Sequence, residues 1–277
     1  GQSRSVVIST NGMVATSHPL AAQVGLDVLK AGGNAADAAI AVQLVLNLVE
    51  PQSSGIGGGA FLRFHDQRTR KTIAYDGRET APAKTRADHF LNADGTPISF
   101  ADAVVGGRSV GTPGTVALLA EVHARHGKLP WADLFEPAIQ LAKEGCIVGP
   151  RLAAMLAGPR AERIKTFTTT RAYFFPNGTP LSAGMRKTNP AFARTLSQIA
   201  LQGPATFYDG PIAAAIIAAV QKAPINPGVL SLQDLLNYRV IARTPVCHPY
   251  RVFEVCGMGP PSSGGVAVGQ ILGILSH

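Results

Sequence analysis

The sequence has 277 residues, 46% of them hydrophobic and only 15% charged, which excludes a disordered chain and suits one buried on many sides. Its 25 Lys and Arg against 17 Asp and Glu give a net charge of +8, but the basic residues are scattered in runs no longer than Arg70-Lys71 or Arg186-Lys187. Basic and aromatic residues do not interleave, which argues against a nucleic-acid surface, and a modestly basic one is expected.

The chain opens at Gly1-Gln2 without an initiator Met, so removal of a secretory leader is expected, with an arbitrary cut as the alternative. Two short strands, Ser5–Ser9 and Met13–Thr16, are predicted around Asn11-Gly12, because both turn residues tolerate positive φ. His18-Pro19 leads into a predicted helix from Leu20 to Ala31, with Ala21, Val24 and Val28 along one face. Gly32-Gly33 stops it, and Asn34 caps a second helix from Ala35 to Val49, ahead of Pro51. This second helix is alanine-rich and apolar nearly all round, a pattern for tight packing inside a layered protein. It is interrupted by Asp37, Gln43 and Asn47 and is too short to cross a bilayer, so no membrane span is expected.

Gly55 and Gly57-Gly58-Gly59 precede two alternating runs, Ala60–His65 and Thr72–Tyr75, which read as a strand pair. The glycines lack the Gly-Lys-Ser/Thr ending of a phosphate loop and run into a strand instead of a helix, which argues against a nucleotide site. Close approach to another element explains them better. Asp76–Pro82 reads as a polar loop, and Thr115 to Met155 as mainly helical. Residues 158–190, rich in Thr, Pro, Gly and basic side chains, are expected to form a long irregular surface segment. Helices are predicted at Ala191–Gln202, Pro211–Lys222 and Leu232–Tyr238, the last capped by Ser231. A hairpin of Val246–Cys247 and Val252–Cys256 leads to Pro260-Pro261-Ser262-Ser263-Gly264-Gly265 and a helix from near Val266. That helix reaches His277 without a cap, so the chain is expected to belong to a longer polypeptide or complex. Strand pairs alternating with helix pairs, without a run of βαβ units, indicate an α/β sandwich.

Arg78 is the candidate binding residue. It follows a predicted strand, and a guanidinium fork suits bidentate capture of a carboxylate. The local residues also admit a structural arginine paired with Glu79 or Asp76. His123 and His126 could share a helix face but have no third ligand nearby, so surface histidines are expected there. Ser262-Ser263 has no local base and no Gly-x-Ser-x-Gly elbow. The three cysteines, Cys146, Cys247 and Cys256, match neither a metal framework nor a dense disulfide scaffold. Cys247 and Cys256 flank the hairpin, where an oxidising compartment would bridge them; two unpaired buried thiols are the blander expectation.

Several segments, in order, resemble signatures of the γ-glutamyltranspeptidase family. They are Gly32–Ala39, Glu50-Pro51 through Gly59, Asp76-Gly77-Arg78-Glu79-Thr80-Ala81-Pro82, and Gly111-Thr112-Pro113-Gly114. Further on come Gly203–Tyr208, Arg243-Thr244-Pro245, Tyr250-Arg251 and Pro260–Gly265. Any one is weak, but the ordered series spans nearly the whole chain. The resemblance implies a four-layer αββα N-terminal-nucleophile hydrolase, of which residues 1–277 would be a single domain forming most of the large subunit, without its C-terminal tail. The nucleophile would be the N-terminal Thr of a small catalytic subunit cut from the same precursor, so this chain would hold no catalytic residue. Arg78 falls on the family's carboxylate-binding arginine. The substrates implied are a γ-glutamyl donor such as glutathione, with water or an amino acid as acceptor, and no cofactor or metal. A periplasmic or secreted location is implied as well. Cephalosporin (glutaryl) acylases share these motifs and stand as the alternative, and a catalytically silent binding subunit as the second.

Overall fold

The computed structural model describes residues 6–276. Helices α1 (Pro19–Lys30) and α2 (Ala35–Val49) lead into a hairpin of β1 (Ala60–Asp66) and β2 (Lys71–Gly77). A short α3 (Phe100–Ala103) precedes α4 (Thr115–His126), a 3-10 turn at Trp131–Leu134 and α5 (Glu136–Glu144). Next come β3 (Cys146–Ile147), α6 (Pro150–Ala157), α7 (Ala161–Ile164), α8 (Thr168–Phe174), a second 3-10 turn at Pro176–Gly178 and β4 (Arg186–Lys187). The chain continues through α9 (Pro190–Gln202), α10 (Ala205–Tyr208), α11 (Pro211–Gln221) and α12 (Leu232–Asn237). It ends with β5 (Ile241–Arg243), the hairpin of β6 (Val246–Tyr250) and β7 (Phe253–Gly257), and α13 (Gly264–Leu275). The described residues fall into two compact units, each made of two stretches: residues 6–55 with 123–203, and residues 56–122 with 204–276.

In the first unit, α2 forms because its alanines and leucines favour helix and its start is closed on both sides. Asn34 accepts from the amides of Ala36 and Asp37, while the Asp37 carboxylate accepts the Asn34 amide in return. Asp37 is fully buried, and it also accepts the backbone N–H groups of Lys128 and Leu129 at 3.0 and 3.3 Å. The Asn34 side-chain amide donates to the His126 carbonyl. One four-residue cap thus fastens the 126–129 turn to the start of α2. At the end of α1, Gly33 and Gly32 return their N–H groups to Val28 and Leu29, the paired bonds of a Schellman ending. Ile40, Ala41, Leu44 and Val45 of α2 are buried on the core side.

The segment 158–190 departs from expectation. Its described residues form α7, α8, a 3-10 turn and β4, and Phe175 and Leu181 are buried with Val148, Leu152, Leu156 and Ala161. The apolar side chains there are too irregularly spaced to show a helix or strand period, yet they close a local core. The hairpin expected at the N-terminus is also absent. Ser5 lies outside the described residues, and residues 6–16 carry no strand. Only the turn remains, with the Ser9 hydroxyl donating to the Gly12 carbonyl. An isolated hairpin is marginal without a face to bury, and Val6, Val7 and Ile8 are exposed.

In the second unit, β1, β2 and β5 form an antiparallel sheet in that order, with Ala74 of β2 opposite Arg243 of β5. Strand β5 was not anticipated, being only three residues long. The hairpin β6–β7 places Cys247 directly opposite Cys256, and the two are joined in a disulfide with Cα atoms 4.0 Å apart. This corrects the expectation of two buried thiols: Cys247 is exposed and Cys256 half-buried, whereas Cys146 is buried and free. Thiol titration of the denatured, unreduced chain should therefore find one free thiol, and three after reduction. Three before reduction would show that the bridge does not form. Helix α13 begins at Gly264 and lies against this hairpin, with Gly265 and Gly269 buried. Among the described residues, no helix is long and apolar enough to cross a membrane.

Candidate functional site

Arg78 directly follows β2, the central strand of the second unit's sheet. Strand β2 reaches it buried, through Ala74, Tyr75 and Asp76, so the polar loop begins where the chain leaves the core. The Arg78 amide donates to Asp76 Oδ1 at 3.0 Å, and Asp76 Oδ2 receives Arg243 Nε at 2.8 Å. The Arg78 carbonyl accepts the Tyr238 hydroxyl at 2.8 Å. Both backbone groups of Arg78 are therefore held, while its side chain is 61% exposed and paired with Glu79 at 3.4 Å. The pairing with Glu79 expected of a structural arginine is present, whereas Asp76 takes Arg243.

Glu79 sits in a glycine cradle. A Cβ on Gly59 would stand 2.6 Å from Glu79 Oε2 and 2.7 Å from the Glu79 amide, so only glycine lets the 55–59 turn pass this close. The same turn offers the Gly58 carbonyl to the amides of Gly114 and Thr115. Thr80 and Thr112 exchange backbone hydrogen bonds across the loop. Glu79 Oε2 and Thr112 Oγ1 are buried with no hydrogen-bond partner, so the Arg78–Glu79 contact is an ion pair without a hydrogen bond. The arrangement is an exposed guanidinium on a rigid backbone, beside a partly buried carboxylate. Such a fork can hold an anionic group without first ordering its own main chain.

The family model described as Gamma-glutamyltranspeptidase matches residues 21–277. The chain belongs to the gamma-glutamyltranspeptidase family. The "Glutathione hydrolase proenzyme" of Bacillus subtilis (strain 168) is 38% identical over 274 residues, covering 99% of this chain and 46% of that protein. The chain thus spans about half the length of the curated relatives it matches. Helicobacter pylori gamma-glutamyltranspeptidase superposes with a TM-score of 0.92 at 34% identity, covering 98% of this chain and 76% of that one. A cephalosporin acylase from Bacillus halodurans superposes at 0.89 with 35% identity, over 100% of this chain and 51% of that one.

Within this chain, the family-segment residues Gly58-Gly59, Asp76–Pro82, Gly111–Gly114 and Arg243 meet around Arg78 and Glu79. The sequence singled out Arg78, with Glu79 or Asp76 as its alternative partner, but assigned nothing to Tyr238 or to Arg243 by itself. Arg243 was visible only as part of a family segment, and Tyr238 only as the end of a helix. The other candidates lie elsewhere. His123 is half-buried, not a surface residue as expected: its Nε2 lies 2.8 Å from the Leu129 carbonyl, and its ring meets Trp131. Ser262 accepts the Gly264 amide after the cis peptide between Pro260 and Pro261. Among the described residues, the one group of three close metal-ligand types is Cys247, Glu254 and Cys256, whose sulfurs are already joined to each other.

Proposed function

We propose that this chain is most of the large subunit of a self-cleaving N-terminal-nucleophile amidohydrolase acting on γ-glutamyl amides such as glutathione. Residues 1–277 are taken as a single domain of the four-layer αββα sandwich, with the small subunit supplying the remainder. The nucleophile is the N-terminal Thr of that small subunit, whose own α-amine serves as base. Arg78 takes the donor's α-carboxylate and thereby sets the amide carbonyl against that Thr. The amine leaves, and water or an amino acid accepts the acyl group. No cofactor takes part. The observation that carries the reading is the Arg78 loop, an exposed fork on a main chain held at both its N–H and its C=O.

Three observations support the remaining parts. A two-subunit precursor fits the word proenzyme in the relatives' names. A partner surface fits the outer face of α13, where Ile271, Ile274 and Leu275 are exposed. Export to the periplasm or beyond fits the Cys247–Cys256 bridge, since such bonds persist in oxidising compartments.

The cephalosporin acylase reading is favoured by the likeness to the Bacillus halodurans structure. A glutaryl group carries its carboxylate at the same distance from the amide as a γ-glutamyl group, so Arg78 serves either. The α-ammonium distinguishes them, and the Glu79 carboxylate beside Arg78 favours the donor that has one. The processed enzyme, assayed with γ-glutamyl-p-nitroanilide and with glutaryl-7-aminocephalosporanic acid, should turn over the first far faster. Preference for the second assigns the chain to the acylases, and no activity on either makes it a silent scaffold.

A further inference from the structure

We propose that Tyr238 is a positioning residue for Arg78, acting through the backbone carbonyl that its hydroxyl holds. The proposal rests on Arg78 binding the donor's carboxylate, as argued above. Helix α12 grips the Arg78–Ala83 loop at both ends. At its C-terminal end, Tyr238 donates to the Arg78 carbonyl across 160 residues of sequence. At its N-terminal end, Asp234 Oδ1 accepts the Ala83 amide at 2.8 Å, while Oδ2 closes the capping box with Ser231. Burial works against the Asp234 carboxylate, but hydrogen bonds from Ser231 and the Ala83 amide outweigh it and hold its pKa below the usual value.

The Tyr238 hydroxyl has little freedom to be anywhere else. Its ring is 7% exposed and stacks on Tyr208, with centroids 6.0 Å apart and planes 9° from parallel. Tyr208 is fixed in turn, donating to the Pro113 carbonyl and accepting the Ala117 amide. A Cβ on Gly114 would lie 2.1 Å from the Tyr238 oxygen and from the Gly77 carbonyl, so the slot beside the hydroxyl is already full. Burial, with the nearby Asp76 and Glu79 carboxylates, pushes the Tyr238 pKa up to about 12, so the hydroxyl keeps its proton and remains a donor. Tyr208 is raised by burial as well. A carbonyl held from such a platform fixes the Cα from which the exposed guanidinium reaches. Small displacements of a substrate-holding group cost rate disproportionately.

The test is Tyr238→Phe in the processed enzyme made from the full-length precursor, beside Arg78→Ala and Tyr208→Phe. Each is assayed with a γ-glutamyl donor and with its analogue whose α-carboxylate is a neutral amide. Tyr238→Phe keeps the ring stack and removes one neutral hydrogen bond. It should lower kcat/KM for the acid donor by about three- to tenfold, chiefly through KM, and leave the amide analogue unchanged. Tyr208→Phe, which loses a hydroxyl from the same stack but no contact with Arg78, should lower Tm without distinguishing the donors. An equal loss on both donors overturns the proposal, as does no loss on either. A Tyr238→Phe precursor that does not cleave also overturns it, because the hydroxyl is then a requirement of folding. If Arg78→Ala itself fails to distinguish the donors, the carboxylate reading falls, and the positioning role with it. If Arg78→Ala distinguishes them and Tyr238→Phe does not, only the positioning role falls.

Discussion

Arg78→Ala should lower kcat/KM for a γ-glutamyl donor by roughly 30- to several-thousand-fold while the precursor still folds and cleaves. The guanidinium is 61% exposed and fills no core space, so its removal leaves no cavity. The backbone it stands on is held by Asp76 and Tyr238 through main-chain groups that alanine retains. What is lost is the partner of the donor's carboxylate, a loss that in a desolvated pair typically costs about 2–5 kcal/mol, at about 1.4 kcal/mol per decade of rate. Arg78→Lys should recover only part, since an ammonium keeps the charge but not the planar fork. Glu79, which pairs with Arg78 in the absence of donor, competes for the guanidinium and places the loss toward the lower end of that range. The measurement is a double cycle of Arg78→Ala against removal of the donor's α-carboxylate, with subunit processing followed on a gel. Additive penalties would show that Arg78 does not hold the carboxylate, and an uncleaved precursor would make it structural.

Asp37→Ala should be the most destabilising single change in the first unit, on the order of 3–5 kcal/mol, because three backbone N–H groups lose their acceptor at once. Those donors belong to Asn34, Lys128 and Leu129, and the carboxylate they share is fully buried. Neither the start of α2 nor the 126–129 turn can turn outward to find water without giving up the other. A whole domain is stable by only about 5–15 kcal/mol, so much of the purified protein should be lost to aggregation or left uncleaved. Asp37→Asn keeps one carbonyl acceptor but turns an NH2 donor toward amide donors, so it should recover only a part. Urea midpoints of the wild type and both variants check this. A midpoint for Asp37→Ala within a few tenths molar of wild type would mean that water satisfies the three amides.

Both predictions join what was legible in the sequence to what was not. Arg78 could be singled out because it lies in a family segment and follows a strand that alternation reveals. Its neighbours could not, since Tyr238 and Arg243 carry no local mark of the carbonyl or carboxylate they serve. Asp37 was legible as an interruption in an apolar helix. Its partners at Lys128 and Leu129 were invisible, because a turn amide looks like any other.

By itself the sequence determined α2 from Ala35 to Val49, the β1–β2 hairpin, the Ser231 cap of α12 and the family to which the chain belongs. Those features rest on caps, on alternation, and on the order of short segments along the chain, all of which are local. Only the tertiary structure decided that Cys247 and Cys256 are bridged, and that residues 158–190 enclose a core around Phe175. It alone decided that residues 6–16, around the N-terminal turn, carry no strand. It also placed Tyr238 under the Arg78 carbonyl and Arg243 on Asp76, across 160 and 167 residues. A local pattern says which face of an element is apolar, but not which distant group meets it; that is settled by packing and by the need of each buried polar atom for a partner.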